Sequence, residues 1–404
     1  MIFLILTTKY KSPFRGHFSV MNLRDQKTVD QRRKALEDTV KIKLPNIGKF
    51  SLDEKVASSR NCENMIGVAQ IPMGVAGPLK ISGSLAKGDF YIPLATTEGA
   101  LVASVSRGSK AITESGGADV DSHRIGATRG PVFKVKNLKE NRQLYVYLKE
   151  HFEEIKSVAE KTSHHLTLKK YSTSAVGKYR YVRFVFDTQD AMGLNMVTIA
   201  TDAIASYIKE KTGISCLALS GNFCVDKKPS WQNLINNRGI KVWAEVVLTK
   251  KVLSEILKTS AQKAYDVWLA KCMLGSAMSG SMGFNAQFAN VVAAIFIATG
   301  QDAAHVVEGS MGITTAEVIK DDLYVSVYLP DLMVGTVGGG TGLATQNEAL
   351  TLLGVAGGDN GKNAQRLAEI TAAAVLAGEI SLLSSLEEGT LAKAHQELGR
   401  GGRR

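Results

Sequence analysis

The sequence predicts an α+β chain: a large mixed helical domain around a central buried helix, with a small ferredoxin-like unit inserted in it. Three observations carry this expectation. Between about Gly126 and Leu219 the patterns run strand, helix, strand, strand, helix, strand, a βαββαβ order. From Lys271 to Asp302 no charged residue stands between the two ends, which reads as a helix through the middle of a large core. From Lys362, NAQRLAEITAAAVLAGEISLLSSL reads as an alanine-rich buried helix pair.

In chain order, residues 1–60 are charged and helical in pattern, with DQKTVDQRRKALEDTV the clearest helix. The opening MIFLIL is followed by Lys9, Lys11 and Arg15, the wrong length and flank for a signal peptide or a membrane span, so it reads as an upstream start ahead of Met21. Residues 61–125 and 220–404 form the expected large domain, and 126–219 the small one. Glycine-rich turns and short strands run to Ile92, and a helix is expected from Thr96 or Thr97. Glu98 sits there among small apolar and hydroxyl residues. Burial would favour its protonated form and suit it to donate a proton, although the helix dipole opposes this.

In the small unit GPVFKVK is a strand, and Leu144, Leu148, Phe152, Ile155 and Ala159 fall at helical spacing. HHLTLKKY and YRYVRFVFD are strands; Ile199, Ala203, Tyr207 and Ile208 mark a second helix; ISCLALS closes as a strand. There is no G-x-G-x-x-G after a first strand, so any dinucleotide site is not of the Rossmann kind. DAMGLNM, with Asp190, Met192, Gly193 and Asn195, stands where a strand passes into a helix; its N–H groups suit a pyrophosphate, while Asp190 reads equally as a plain N-cap.

The apolar run ISCLALSGNFCV empties into DKKPS, either a solvated turn or ionisable groups presented to a site. Asn285, Gln287 and Asn290 make the Lys271–Asp302 run too polar for a membrane span. Asp302 at its end is expected to be a buried acid with a function, or else a helix-terminal Asp paired with a nearby lysine. In GTVGGGTGL the glycines Gly338, Gly339 and Gly340 and Thr341 allow a ligand close to the backbone or a tight turn, and the lysine of a P-loop is missing. His395 is a lone histidine in a short glycine-rich basic tail.

At 404 residues and 45% hydrophobic composition the chain can bury a sizeable core. Cysteines 62, 216, 224 and 272 make no C-x-x-C pair, and the seven histidines show no ligand spacing, so free thiols and no metal are expected. The net charge of +11 permits ligands that carry several phosphates. The basic residues are dispersed and no nucleic-acid module accompanies them, so no nucleic-acid partner is expected.

ENMIGVAQIPMGVAGPL, PLATTEGALVASVSRGSKAI, DAMGLNM, SGNFCVDKKPSWQN, GFNAQFANVVAAIFIATGQDAAH and VGTVGGGTGL resemble the signature blocks of the class I 3-hydroxy-3-methylglutaryl-coenzyme A reductases, from about Asn61 to Arg400. The resemblance implies a two-step, NADPH-dependent reduction of hydroxymethylglutaryl-coenzyme A (HMG-CoA) to mevalonate and coenzyme A. It places Glu98, Lys227, Asp302 and His395 as catalytic residues: Lys227 as the cation at the carbonyl oxygen, Asp302 orienting it, Glu98 supplying a proton and His395 protonating the coenzyme A thiolate. It implies substrate contacts from Ser220, Asp226, Lys228, Lys271 and Asn290. NADPH contacts fall to Asp190, Met192, Gly193, Asn195, Gly338, Gly339, Gly340, Thr341 and Arg400.

The family's substrate arginine before the small domain falls at Asp121, with Arg124 the nearest basic residue and its possible substitute. Gln287 and Gln189 depart from the family's usual His and Gly, and Gly401 stands where eukaryotic forms carry a phosphorylated serine. The resemblance further implies a homodimer or higher homo-oligomer joined through ENMIG, with sites that take the lysine loop from one subunit and both acids from its partner. With no room for a membrane domain, a soluble, cytoplasmic, archaeal-like form is expected. Two other readings use the same fold: NAD-dependent oxidation of mevalonate, as in class II members, and a non-catalytic acyl-coenzyme A binder.

Overall fold

The computed structural model describes residues 26–40 and 43–388, and the chain divides into two compact units between Gln70 and Ile71. In the first unit α1 (Val29–Val40) lies in the segment expected to be helical, and α2 (Glu54–Arg60) is capped by Asp53, whose side chain accepts from the N–H groups of Lys55 and Val56. Buried Arg32 donates to the carbonyls of Met65 (2.7 Å) and Gln26 (3.0 Å), tying α1 to the strand-free segment that follows α2.

The second unit opens with a hairpin of β1 (Met73–Gly83) and β2 (Lys87–Ala95), followed by α3 (Leu101–Glu114) and the long β3 (Ala118–Arg129). Next come β4 (Val132–Lys134), α4 (Leu138–Glu150), α5 (Phe152–Glu160), β5 (Thr167–Val176), β6 (Tyr179–Asp187), α6 (Leu194–Thr212) and β7 (Cys216–Ala218). A single helix was expected where α4 and α5 stand; His151, at φ −115° and ψ 27°, breaks it. The strands pair antiparallel in the order β7, β4, β6, β5, and β3 continues the edge of β6 that β4 begins. Their core is separate, built from Phe133, Leu144, Leu148, Phe184, Phe186 and Ile204 among others.

The chain then returns through α7 (Trp231–Asn236), β8 (Arg238–Leu248), α8 (Lys250–Glu255), α9 (Ala261–Trp268) and a π-helical turn, Leu269–Gly275, that runs into α10 (Ser276–Ser279). After α11 (Phe288–Thr299) and a 3₁₀ turn, Ala303–His305, come α12 (Val306–Gly309), β9 (Ile313–Ile319), β10 (Asp322–Leu332), α13 (Ala344–Leu352) and α14 (Lys362–Glu388). The Lys271–Asp302 run is therefore not one core helix. Gly280 and Gly283 lie in the break, and only α11 is continuous and buried.

The central helix is α14, one helix and not the expected pair. Alanines at 372, 373, 374 and 377 are fully buried with Val375, Leu376 and Ile370, so the helix is apolar around most of its circumference. β8 turns Ile240, Val242, Ala244, Val246 and Leu248 into the same core. The helix is long and apolar enough to cross a membrane by composition alone, yet 94% of its most apolar window is buried inside the protein. Small side chains permit close approach: a Cβ on Gly108 of α3 would stand 1.9 Å from the carbonyl oxygen of Ala377. Three buried carboxylates fasten the surroundings to α14. Asp190 accepts from the N–H groups of Asp359, Gly361 and Ala364 at its start. Glu369 holds the β1–β2 turn through Leu85 and Ala86, and Glu379 holds Ala286 and Gln287 ahead of α11.

Gly108→Ala is expected to destabilise the protein by about 1–3 kcal/mol, because the added methyl meets backbone that cannot rotate away. The thermal midpoint measures it, and an unchanged midpoint would mean that α3 and α14 do not pack this closely.

Candidate active site

Lys227 lies in the loop between β7 and α7, held in a conformation the chain does not adopt unaided. Asn222, Val225 and Lys227 all have positive φ (61°, 50° and 57°), a genuine outlier for the β-branched Val225. Neighbouring groups enforce it. Gln232 donates to the carbonyl of Phe223 (2.7 Å), Asn233 to that of Val225 (2.9 Å), and the backbone N–H of Lys227 donates to Glu308 Oε1. The result aims Lys227 Nζ at Asp302 Oδ2, 2.7 Å away.

Asp302 caps the 3₁₀ turn, its Oδ1 accepting from Ala304 N–H (3.1 Å). It is not the buried acid expected: both its side chain and that of Lys227 are 39% exposed, so the pair borders solvent. Partial burial pushes the Asp302 carboxyl up, but the Lys227 hydrogen bond, the Ala304 N–H and the nearby charge of His305 together hold it below the usual range.

Beneath this pair is a buried charge cluster. The Arg238 guanidinium at the start of β8 has no exposed side-chain surface; it donates to Asp226 Oδ1 (2.6 Å), Glu308 Oε1 (2.9 Å) and Thr128 Oγ1 (2.9 Å), with Asp331 Oδ1 at 3.8 Å. Burial alone would lower its proton affinity, and the carboxylates more than reverse this. Asp331, also fully buried and without a hydrogen bond, is pushed up to about 7 by burial. His305 Nδ1 lies 3.2 Å from Glu308 Oε1, while its Nε2 has no hydrogen-bond partner and faces Asp226 Oδ1 at 3.7 Å and Asp302 Oδ2 at 3.8 Å. Asp226, His305 and Glu308 bring three ligand-type atoms within 4.8 Å of one another. Arg238 already fills the cation position between the two carboxylates, so this set does not suit a metal.

Glu98 is exposed in the turn before α3, which begins at Leu101 and not at Thr96 or Thr97; the expected burial does not occur. Its Oε1 accepts from Asn290 Nδ2 at 3.4 Å, near the start of α11. Asn290 is in the first turn of α11 and Asp302 follows its other end, so roughly 14 Å of helix rise separates the two places. Lys227 and Asp302 thus meet within one chain, against the expected division between subunits, while Glu98 of the same chain stays away from them.

Lys271, on the π-helical turn, lines a cavity of about 690 Å³ with Pro229, Asn285, Val306, Ser310 and Met311, so it opens beside the DKKP loop. Lys228 is exposed, with Nζ 3.3 Å from the carbonyl of Asp226. Ser220 Oγ, also exposed, lies 3.7 Å from Cys224 Sγ. Asp226 turns its carboxylate inward to Arg238. Arg124 pairs with Asp187 and donates to the carbonyls of Gln189 and Asn360.

The two glycine motifs expected to hold the cofactor meet in space. Ala191 and Val337 form a parallel bridge, Thr336 N–H donates to the carbonyl of Asp190 (2.8 Å), and a Cβ on Gly335 would stand 2.5 Å from Met192 N. The N-cap of α6 is Gly193, not Asp190; it makes no side-chain cap and the first turn carries no acid, so the N–H groups there are open to an anion. Gly338 and Gly339 are exposed, with nothing within 4 Å of where a Cβ would stand. The Asp190 carboxylate, by contrast, is buried on α14 and unavailable to a ligand. His395 and Arg400 lie outside the described residues.

Arg238, His305, Glu308 and Asp331 were not anticipated. One signal was visible: Asp302, His305 and Glu308 are spaced i, i+3, i+6, which aligns side chains on a 3₁₀-to-α segment. Arg129 was overlooked too; it donates to Thr198 Oγ1 (2.6 Å), with a buried Nε lacking a partner.

Residues 28–400 match the family model for hydroxymethylglutaryl-coenzyme A reductase. The chain is 54% identical over 375 residues to the 3-hydroxy-3-methylglutaryl-coenzyme A reductase of Methanocaldococcus jannaschii, covering 91% of this chain and 92% of that protein. It is 52% identical to the reductase of the same name from Aeropyrum pernix, covering 92% and 89%. Among solved structures, the class II enzyme of Streptococcus pneumoniae bound to NADPH in open conformations superposes with a TM-score of 0.65 at 19% identity, over 90% of this chain and 99% of that one. At that identity the likeness speaks for the fold.

Arg238→Met should cost about 3–5 kcal/mol by leaving buried carboxylates unpaired. Asp331 offers a subtler readout. Its proton affinity is raised on folding, so its contribution is fully present below about pH 4 and lost as the pH rises through about 7. Asp331→Asn should flatten that part of the stability curve, and an unchanged slope in denaturant midpoints across this range would contradict the assignment.

Proposed function

The chain belongs to the hydroxymethylglutaryl-coenzyme A reductase family and reduces HMG-CoA, and we propose that it does so in two NADPH-dependent steps that yield mevalonate and coenzyme A. The observation that carries this reading is the Lys227–Asp302 pair at 2.7 Å, beside the cavity that Lys271 lines. Reduction of a thioester and then an aldehyde places negative charge on a carbonyl oxygen twice. An ammonium group preoriented by a carboxylate is a suitable stabiliser for both.

Lys227 donates to that oxygen, and Asp302 aims its ammonium group. Lys271 and Lys228 are suited to hold the substrate's free carboxylate as cations at the cavity. Glu98 supplies a proton, and His395 protonates the departing thiolate. NADPH, when bound, supplies hydride. The segment 126–219, whose βαββαβ order and antiparallel 4-1-3-2 pairing support a ferredoxin-like reading, would hold it with the helix start at Gly193 and Asn195, next to Met192, and with the loop Gly338–Thr341, in which Gly338 and Gly339 are exposed and Thr341 is buried. Preference for NADPH over NADH, as in class I members, and a cytoplasmic location complete the proposal.

The single-chain geometry supports a homodimer whose sites are divided differently from the expectation above: Lys227 and Asp302 from one subunit, Glu98 and Asn290 from the other, with ENMIG in the joint.

An assay of HMG-CoA-dependent NADPH oxidation tests the function. Lys227→Ala and Asp302→Asn should each lose about a hundredfold or more in turnover while remaining folded, and near-normal rates in either would remove the assignment. Mixing Lys227→Ala with Glu98→Gln chains should restore up to about a quarter of wild-type activity, since half the dimers are mixed and half their sites intact. Lys227→Ala mixed with Asp302→Asn should restore none; recovery there would return both acids to one subunit.

A further inference from the structure

Asp302, His305 and Glu308 follow one another on a single helical face, and the two carboxylates reach Lys227 from different sides. Asp302 holds its ammonium group, Glu308 accepts its backbone N–H, and His305 lies between the two carboxylates. The His305 ring is fully buried with Nδ1 committed to Glu308. Its Nε2 has no hydrogen-bond partner, and it sits one short displacement beyond hydrogen-bond range of Asp302 Oδ2. A buried ring nitrogen without a partner is uncommon enough to need a reason.

The reaction supplies one. Where Lys227 moves toward the oxygen that gains charge, its bond to Asp302 lengthens, and a carboxylate losing its donor resists that movement. We propose that His305 is a positioning residue that takes over Asp302 when Lys227 engages the substrate: Nε2–H closes on Oδ2 as the lysine leaves it and lets go when the lysine returns. The proton stays on the ring throughout, and only the hydrogen-bond partner of Asp302 changes. Asp226, Asp302, Glu308 and Asp331, with Lys227 and Arg238 paired to them, are the charged groups around the ring among the described residues. The charge of His305 is also among the influences that hold the Asp302 carboxyl low.

This rests on the reductase reading, and the two fail separately: wild-type protein that does not oxidise NADPH with HMG-CoA removes the reading, whereas unaffected variants of an active enzyme remove only the inference. The test compares His305→Phe, which fills the space without a donor, with His305→Gln, whose amide can donate. His305→Phe should lower kcat by about tenfold or more with KM for HMG-CoA changed less than about twofold, the pattern of an interaction used after binding. His305→Gln should regain most of that loss. A Phe variant with wild-type kcat, or a Gln variant no better than the Phe one, overturns the proposal. Should the Phe variant not fold, a second donor-free variant decides. There His305→Met, which also fills the space without a donor, is compared with His305→Gln by the ratio of their kcat values, and equal kcat values overturn the role.

Discussion

One fully buried guanidinium organises the candidate site. Arg238 brings Asp226, Glu308 and Asp331 together at the junction of β3, β8, β10 and the lysine loop, where uncompensated carboxylates would each cost several kcal/mol. Because Glu308 is fixed by Arg238, it can accept the backbone N–H of Lys227; because Asp226 is fixed, the residue before Lys227 cannot rotate away. The strained φ values of Val225 and Lys227 persist under that over-determination, and the strain directs Lys227 Nζ at Asp302. Such a cluster adds little net stability relative to an apolar core. It fixes the geometry of a flexible lysine instead.

The frame that holds the cluster is α14. An alanine-rich helix can be approached from all sides, and its neighbours are joined to it by carboxylates that satisfy backbone N–H groups in low dielectric. Asp190 links the start of α14 to DAMGLNM, and the Ala191–Val337 bridge links that motif to the glycine-rich loop. The Asp190 carboxylate, beside a helix start, is therefore structural, while the N–H groups at the start of α6, with no side-chain cap, suit an anion.

Much of this was legible in the sequence. Period-two alternation in YRYVRFVFD located β6, and the apolar spacing of DQKTVDQRRKALEDTV located α1. The charged DKKPS turn and the acid ending GFNAQFANVVAAIFIATGQD named the two members of the pair at 2.7 Å. What could not be read were long-range effects. Lack of charge over Lys271–Asp302 suggested one helix, but burial and helicity are different properties, and the run breaks at the segment that holds Gly280 and Gly283. Glu98 seemed buried because its sequence neighbours are apolar, yet it lies on a turn whose exposure is set by α3 beginning later. Arg238 carries no local signal at all in NNRGIKVW, since its partners stand 12, 70 and 93 residues away in sequence.

The central claim is that the Lys227 ammonium group, aimed by Asp302 of its own chain, stabilises the charge formed on the substrate oxygen. Chemical rescue tests it most directly. Steady-state turnover of Lys227→Ala should rise, saturably, as a small primary alkylammonium ion is added, and should not respond to an alcohol of the same size. The double variant that also carries Asp302→Asn should show far weaker rescue, because the carboxylate that receives the added cation is gone. Turnover of Lys227→Ala close to wild type without amine, or equal rescue in the double variant, would contradict the account.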